Sequence, residues 1–165
     1  MRRLCMQNAR TLKNLMISAY IFDLDGTLLD TLDDLADAVD HCLAANGLPE
    51  RRLEEIRTFV GNGMRNLITR SVPKGTPEEL FEKVFSDYRE YYGSHNMIKT
   101  RPYEGINEAL MTLKEKGIRL AVISNKADAH TKFLCSHFFP GVFDLVYGER
   151  EGVARKPDPS GLLKA

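Results

Sequence analysis

The residues best suited to chemistry are two aspartates separated by one leucine, Asp23-Leu24-Asp25, followed by Gly26 and Thr27. Carboxylates at i and i+2 of an extended segment point to the same side, and a glycine behind them lets the chain turn sharply. One member of such a pair can attack an electrophile while the other gives and takes protons. With a phosphate ester as electrophile, the attacking Asp forms an aspartyl phosphate, and its neighbour protonates the leaving oxygen and later deprotonates water. Two further segments complete the set. Ser124-Asn125 offers a hydroxyl and nearby backbone N–H groups able to hold phosphate oxygens, and Lys156, followed by Pro157, offers a cation to neutralise phosphate charge.

Open α/β sheets bind ligands at the carboxyl ends of their strands, so each of these segments should follow a strand. Residues 16–23 (MISAYIFD) form a short apolar run that reads as a buried strand stopping at the DLDGT turn. Residues 118–124 (IRLAVIS) read as a strand covered on both faces, and residues 143–147 as a third, with Lys156-Pro157 shortly beyond it. The intervening sequence is helical in period. Leu32, Leu35, Ala36, Val39 and Leu43 recur at helical steps before Gly47, and two short helices flank Gly61-Asn62-Gly63. Thr76-Pro77-Glu78-Glu79 predicts a capped start to a helix whose stripe Phe81, Val84, Phe85, Tyr88, Tyr91 and Tyr92 reads as core packing. Helices are also expected around Ile106–Leu113, around Phe133–Phe138, and from near Asp158. Strands alternating with helices predict a doubly wound α/β core with a parallel sheet, interrupted by an all-helical insertion.

The 165 residues carry 43% hydrophobic and 28% charged side chains, the profile of one globular domain rather than of a disordered or collagen-like chain. Lys and Arg number 23, as do Asp and Glu, which removes the positive surplus on which general nucleic-acid or membrane-surface binding depends. No apolar run approaches the roughly 20 residues of a membrane span. Residues 1–15 contain Arg2, Arg3, Arg10 and Lys13 and no acid; lacking the apolar stretch of a secretory signal, they read as an N-terminal extension ahead of Met16, with a transit-type targeting segment as the alternative. Cys5, Cys42 and Cys135 are far apart, and His41, His95, His130 and His137 form no metal-binding pair. A reducing, cytoplasmic setting is expected.

DLDGTLLDT (residues 23–31), VISN (122–125) and RKPDP (155–159) resemble the first, second and third motifs of the haloacid dehalogenase-like hydrolase superfamily, and the resemblance runs over essentially the whole chain after Met16. It implies a Rossmann-like core of residues 16–30 and 101–165, with residues 31–100 as a C1-type helical cap. FVGNGMRNLI, RPYEGI and SNK are similar to the phosphoglycolate phosphatases of that superfamily. The resemblance implies a small phosphorylated metabolite as substrate, Mg2+ as cofactor, Asp23 as nucleophile and magnesium ligand, and Asp25 as general acid/base with its main-chain carbonyl on the metal. It also implies Thr27, Ser124, Asn125 and Lys156 on the phosphate, Lys156 stabilising the nucleophile and transferring group, and Thr27 supporting the loop as well. An Asp at position 25 favours phosphate esters over carbon–halogen bonds. A sugar-phosphate mutase of the same family, or a non-catalytic fragment, remain alternatives.

An EF-hand is excluded: with Gly26 at loop position six, Ile21 and Leu32 would fall at ligand positions. Asp30, Asp33, Asp34 and Asp37 read as helix-start acids and a solvated face; Arg65 and Asn62 read as surface and turn residues or as substrate contacts. The family's fourth, acidic motif is expected one helix and one strand after Lys156-Pro157, and the sequence ends at Ala165. The expectation is an incomplete core with a weakened magnesium site, slow phosphoryl transfer, and a first strand left as an apolar sheet edge prone to association.

Overall fold

A computed structural model describes residues 17–164; the N-terminal extension expected over residues 1–15 lies outside them. Three parallel strands form the sheet, β1 (Ala19–Phe22), β4 (Arg119–Ala127) and β5 (Leu145–Glu149), in the order β1-β4-β5. Phe22 lies opposite Val122, and Ile123 opposite Tyr147; the β4–β5 register shifts between Ile123 and Ala127. Parallel neighbours need crossover connections. The first is α5 (Ile106–Glu115) leading into β4, and the second is α6 (Asp128–Phe138) leading into β5. Leu120, Val122, Leu110, Leu134 and Phe139 bury one core around the middle strand.

Between β1 and α5 the chain builds a second body of helices: α1 (Leu32–Ala45), α2 (Leu53–Phe59), α3 (Met64–Ser71) and α4 (Glu78–His95). Its own core contains Leu35, Val39, Leu43, Ile56, Ile68, Val84, Tyr88 and Tyr92. The short strands β2 (Leu29–Asp30) and β3 (Arg101–Pro102) pair antiparallel where the chain enters and leaves these helices. A four-residue helix, α7 (Ser160–Leu163), follows Lys156.

Several local expectations change. β1 is mostly exposed rather than covered on both faces, with Tyr20 36% and Ile21 43% accessible, because among the described residues only β4 pairs with it; it is the apolar edge expected of an incomplete core. Thr76 does not cap α4; its hydroxyl donates to the Pro73 carbonyl at 2.8 Å, and Pro77 takes the cap position. Asp34 is not on a solvated face. It is 2% exposed and accepts the backbone N–H groups of Lys99 and Thr100, each at 2.8 Å, clamping α1 to the returning chain. Cys42 and Cys135 are buried free thiols. Among the described residues no helix is long and apolar enough to cross a membrane.

Candidate active site

The loop carrying both aspartates is held by what lies between and after them. Leu24, Leu28 and Leu29 are fully buried in the sheet core. The N–H groups of Thr27, Leu28 and Leu29 all donate to the Leu24 carbonyl, at 3.2, 3.0 and 3.1 Å. Gly26 closes the turn at φ 72°, a conformation that side-chain-bearing residues adopt at a cost. Pinned on its leucine side, the segment turns both aspartates towards one small cavity, whose lining also includes Ser124, Asn125 and Lys126 from the end of β4 and Tyr88 and Tyr92 from α4.

Each carboxylate is held through one oxygen. Oδ1 of Asp23 accepts the Leu24 N–H at 2.8 Å and forms an ion pair with the Lys156 ammonium at 2.8 Å. Lys156 Nζ also donates to the Ile123 carbonyl at 2.9 Å, which fixes it at the strand end. Oδ1 of Asp25 accepts the Thr31 hydroxyl at 2.8 Å and the Lys126 ammonium at 2.9 Å. In both residues Oδ2 has no hydrogen-bond partner among the described residues.

Lys126 is the most buried cation of the site, its side chain 3% exposed. Burial opposes its charge, but the Asp25 carboxylate and the Tyr92 hydroxyl, which it meets at 2.7 Å, outweigh that and hold the ammonium above the ordinary lysine range. It also lies over the Tyr92 ring, 4.9 Å from its centre. Burial raises the phenol of Tyr92, and more strongly that of Tyr88, so both stay neutral.

The strand end itself depends on a close approach. A Cβ on Gly148 of β5 would fall 2.6 Å from the Lys126 carbonyl oxygen and 2.5 Å from the Asp128 Cα, and the Gly148 N–H donates to Asp128 at 2.9 Å. Only glycine lets β5 pass here, at the register shift where β4 gives way to α6.

The remaining sequence candidates separate. Ser124 is buried, and its Oγ accepts the Lys126 N–H at 3.2 Å. Asn125, expected beside the phosphate, has its amide taken up by protein: Nδ2 donates to the carbonyls of Gly61 and Lys156 at 2.9 and 3.2 Å, and Oδ1 accepts the Lys156 N–H at 2.8 Å. It joins the α2–α3 loop, β4 and the Lys156 segment. Thr27, expected on the phosphate, is exposed and does not line the cavity; its backbone serves the turn. Arg65 pairs with Glu82 and Glu78 and stacks on Phe81, away from the cavity lining. Lys126, Thr31 and Tyr92 were not anticipated as site residues. The available signal was a lysine two residues after Ser124 at the carboxyl end of β4.

Magnesium takes hard oxygen ligands and commonly only one or two carboxylates from protein, leaving other positions to water and substrate phosphate. Among the described residues no group of three or more His, Cys, Asp or Glu side chains gathers. The half-exposed Asp23 carboxylate beside Asp25 fits that sparse oxygen donor set.

Residues 20–165 match the family model described as haloacid dehalogenase-like hydrolase. The chain belongs to that family. It is 37% identical over 156 residues to the phosphoglycolate phosphatase of Thiobacillus denitrificans and 38% identical over 156 residues to that of Nitrosospira multiformis, covering 92% of this chain and 69% of each relative. The crystal structure of a predicted phosphoglycolate phosphatase from Haemophilus somnus superposes with a TM-score of 0.85 at 29% identity, over 90% of this chain and 69% of that one. The parallel α/β core is thus the haloacid dehalogenase-like fold.

Proposed function

We propose that this family member is a magnesium-dependent phosphoric monoester hydrolase acting on a small phosphorylated metabolite of the phosphoglycolate type, with residues 31–100 serving as a helical cap over the substrate. The observation that carries the reading is the matched clamping of Asp23 and Asp25. Each is fixed through Oδ1 by its own lysine, at 2.8 and 2.9 Å, which leaves Oδ2 available for chemistry. The relatives' names support the substrate class.

In this reading the Asp23 Oδ2 attacks phosphorus and the bond from phosphorus to the ester oxygen breaks, while Asp25 gives a proton to the departing oxygen. An aspartyl phosphate on Asp23 results. Water then attacks its phosphorus, Asp25 takes the water proton, and cleavage of the phosphorus–Asp23 bond returns the carboxylate and free phosphate. Lys156 offsets charge on the transferring group, and the Ser124 hydroxyl and neighbouring N–H groups hold its oxygens. The Asp23 carboxylate and Asp25 main-chain carbonyl would hold magnesium, which when bound supplies counter-charge for the phosphoryl oxygens. Thr31 and Lys126 keep Asp25 facing the reaction.

The test is phosphate release from 2-phosphoglycolate and from p-nitrophenyl phosphate, with magnesium and with a chelator. Asp23→Asn should abolish release in both cases, and chelation should do the same to the unaltered chain. Hydrolysis that survives Asp23→Asn, or an unaltered chain that releases no phosphate, would overturn the proposal.

A further inference from the structure

The Asn125 side chain spends every hydrogen of its amide on backbone. Oδ1 accepts the Lys156 N–H at 2.8 Å, while Nδ2 donates to the Lys156 carbonyl at 3.2 Å and to the Gly61 carbonyl at 2.9 Å. A carboxamide offers two N–H donors at one end and an acceptor at the other, so only this orientation matches two carbonyls and one N–H. At 7% exposure, Asn125 keeps no hydrogen for a ligand. Aspartate here would set a carboxylate oxygen against two carbonyls, and leucine would leave three backbone groups without this partner.

Both backbone groups of Lys156 are thus clasped by one side chain. That clasp sets the point from which the Lys156 ammonium reaches the Ile123 carbonyl at 2.9 Å and Asp23 at 2.8 Å. The third bond leaves the sheet, because Gly61 belongs to the loop between α2 and α3 and lies 64 positions earlier in the chain than Asn125. The same loop also rests on the residue before Lys156. Gly63, at φ 81°, passes so close to the Arg155–Glu149 ion pair that a Cβ there would fall 3.1 Å from Arg155 Cζ and 3.2 Å from Glu149 Oε2. The loop of the helical body therefore bears on two consecutive residues of the sheet, on Arg155 directly and on Lys156 through Asn125.

Resting on the phosphatase reading above, we propose that Asn125 is a positioning residue that ties the α2–α3 loop to Lys156, so that the helical insertion takes part in placing the cation that offsets charge on the transferring group. Asn125 touches no substrate in this role. It acts through the backbone of Lys156, and the loop acts through Asn125.

The experiment attacks the tether from its two ends in the whole protein. Asn125→Ala removes the clasp, and Gly63→Val lifts the loop, since a β-branched residue at positive φ is strained and its side chain would meet the Arg155–Glu149 pair. Lys156 is first read by its rate of acetylation with acetic anhydride, mapped by mass spectrometry without phosphate or magnesium. Each variant should label Lys156 about threefold faster, the range of a partly exposed ion pair set free. The neighbouring Lys126, 3% exposed, should stay protected. An unchanged rate at Lys156 in either variant, or a rise at Lys126 to match, would overturn the tether. Calorimetry then measures inorganic phosphate binding in magnesium. Lys156→Ala should weaken it about tenfold in the unaltered protein and no more than about threefold in the Asn125→Ala protein, because coupled residues do not add. Equal losses in the two backgrounds would overturn the positioning role and leave Asn125 a support of the fold. A protein that binds no phosphate would overturn the proposed reaction and with it this use of Lys156; the labelling, read without phosphate, tells that failure from a failure of the tether.

Discussion

Asp23 and Asp25 stand two residues apart and meet their lysines at 2.8 and 2.9 Å, but the two pairs lie in different media. The Asp23 and Lys156 side chains are 43% and 35% exposed, so water screens them and either can turn to another partner. The Asp25 and Lys126 side chains are 16% and 3% exposed, and Lys126 is tied a second time to Tyr92 on the helical body. Two contacts alike in length thus differ in what depends on them. In the proposed reaction the outer pair would exchange its cation with the transferring group, while the inner pair holds one carboxylate still and links the sheet to the helices.

The contrast breaks most directly at Lys126. Removing one partner of a buried pair leaves an uncompensated charge, so Lys126→Met should lower the free energy of unfolding by about 3 kcal/mol or more in a denaturant titration; a loss below about 1 kcal/mol would make the two pairs equivalent. Gly148→Ala strikes the same inner side through the backbone. Its Cβ would press on the Lys126 carbonyl and Asp128, and a loss of about 2 kcal/mol is expected by the same measurement.

Alkaline pH sharpens the comparison without mutation. The fold raises the Lys126 ammonium, so that contribution is full below the unfolded lysine value, about 10.4, and is lost as pH rises through the folded one. Burial, with smaller contributions from nearby acids, pushes the Cys42 thiol up to about 11 and the Cys135 thiol up to about 12; burial also raises Tyr88 and Tyr92. These groups ionise more readily once unfolded, so their sign is the same. Denaturation midpoints should fall steadily from about pH 9 to 11, and a flat profile would count against a dry inner side. The smallest effect belongs to the outer pair. Lys156→Ala should change stability by about 1 kcal/mol or less while weakening inorganic phosphate binding measured by calorimetry.

The difference between the pairs also marks what the sequence could reveal. Asp23, Ser124 and Lys156 were legible because residue type and position after an apolar strand are local properties. Lys126 reaches Asp25 across 101 positions, and Asp34 meets Thr100 across 66; no periodicity registers such pairings. An acid in the first turn of a helix complements its dipole whether it is solvated or buried, so Asp34 looked ordinary. The strands β2 and β3 have two residues each, too few to display alternation. The parallel core and the four helices of the insertion were readable because long apolar repeats specify them. Apolarity at β1 records only a capacity to be covered; the edge position came from the motif order, and the outer side of Tyr20 and Ile21 has no cover among the described residues.

The pairing of Asp30 with Arg101 and of Leu29 with Pro102 brings the departing and returning chain to neighbouring positions, about 5 Å apart at Cα. Everything from α1 to α4 is therefore attached to the sheet as a closed loop whose ends are already joined, and the entropy of closing a longer or shorter loop changes only slowly with its length. Outside the α2–α3 loop, the helical body can be exchanged or remodelled while the aspartates, Ser124 and Lys156 keep their scaffold. In the proposed reaction that would separate two kinds of change: alterations within the insertion would retune which ester enters, and alterations at the strand ends would decide whether its phosphate is cut.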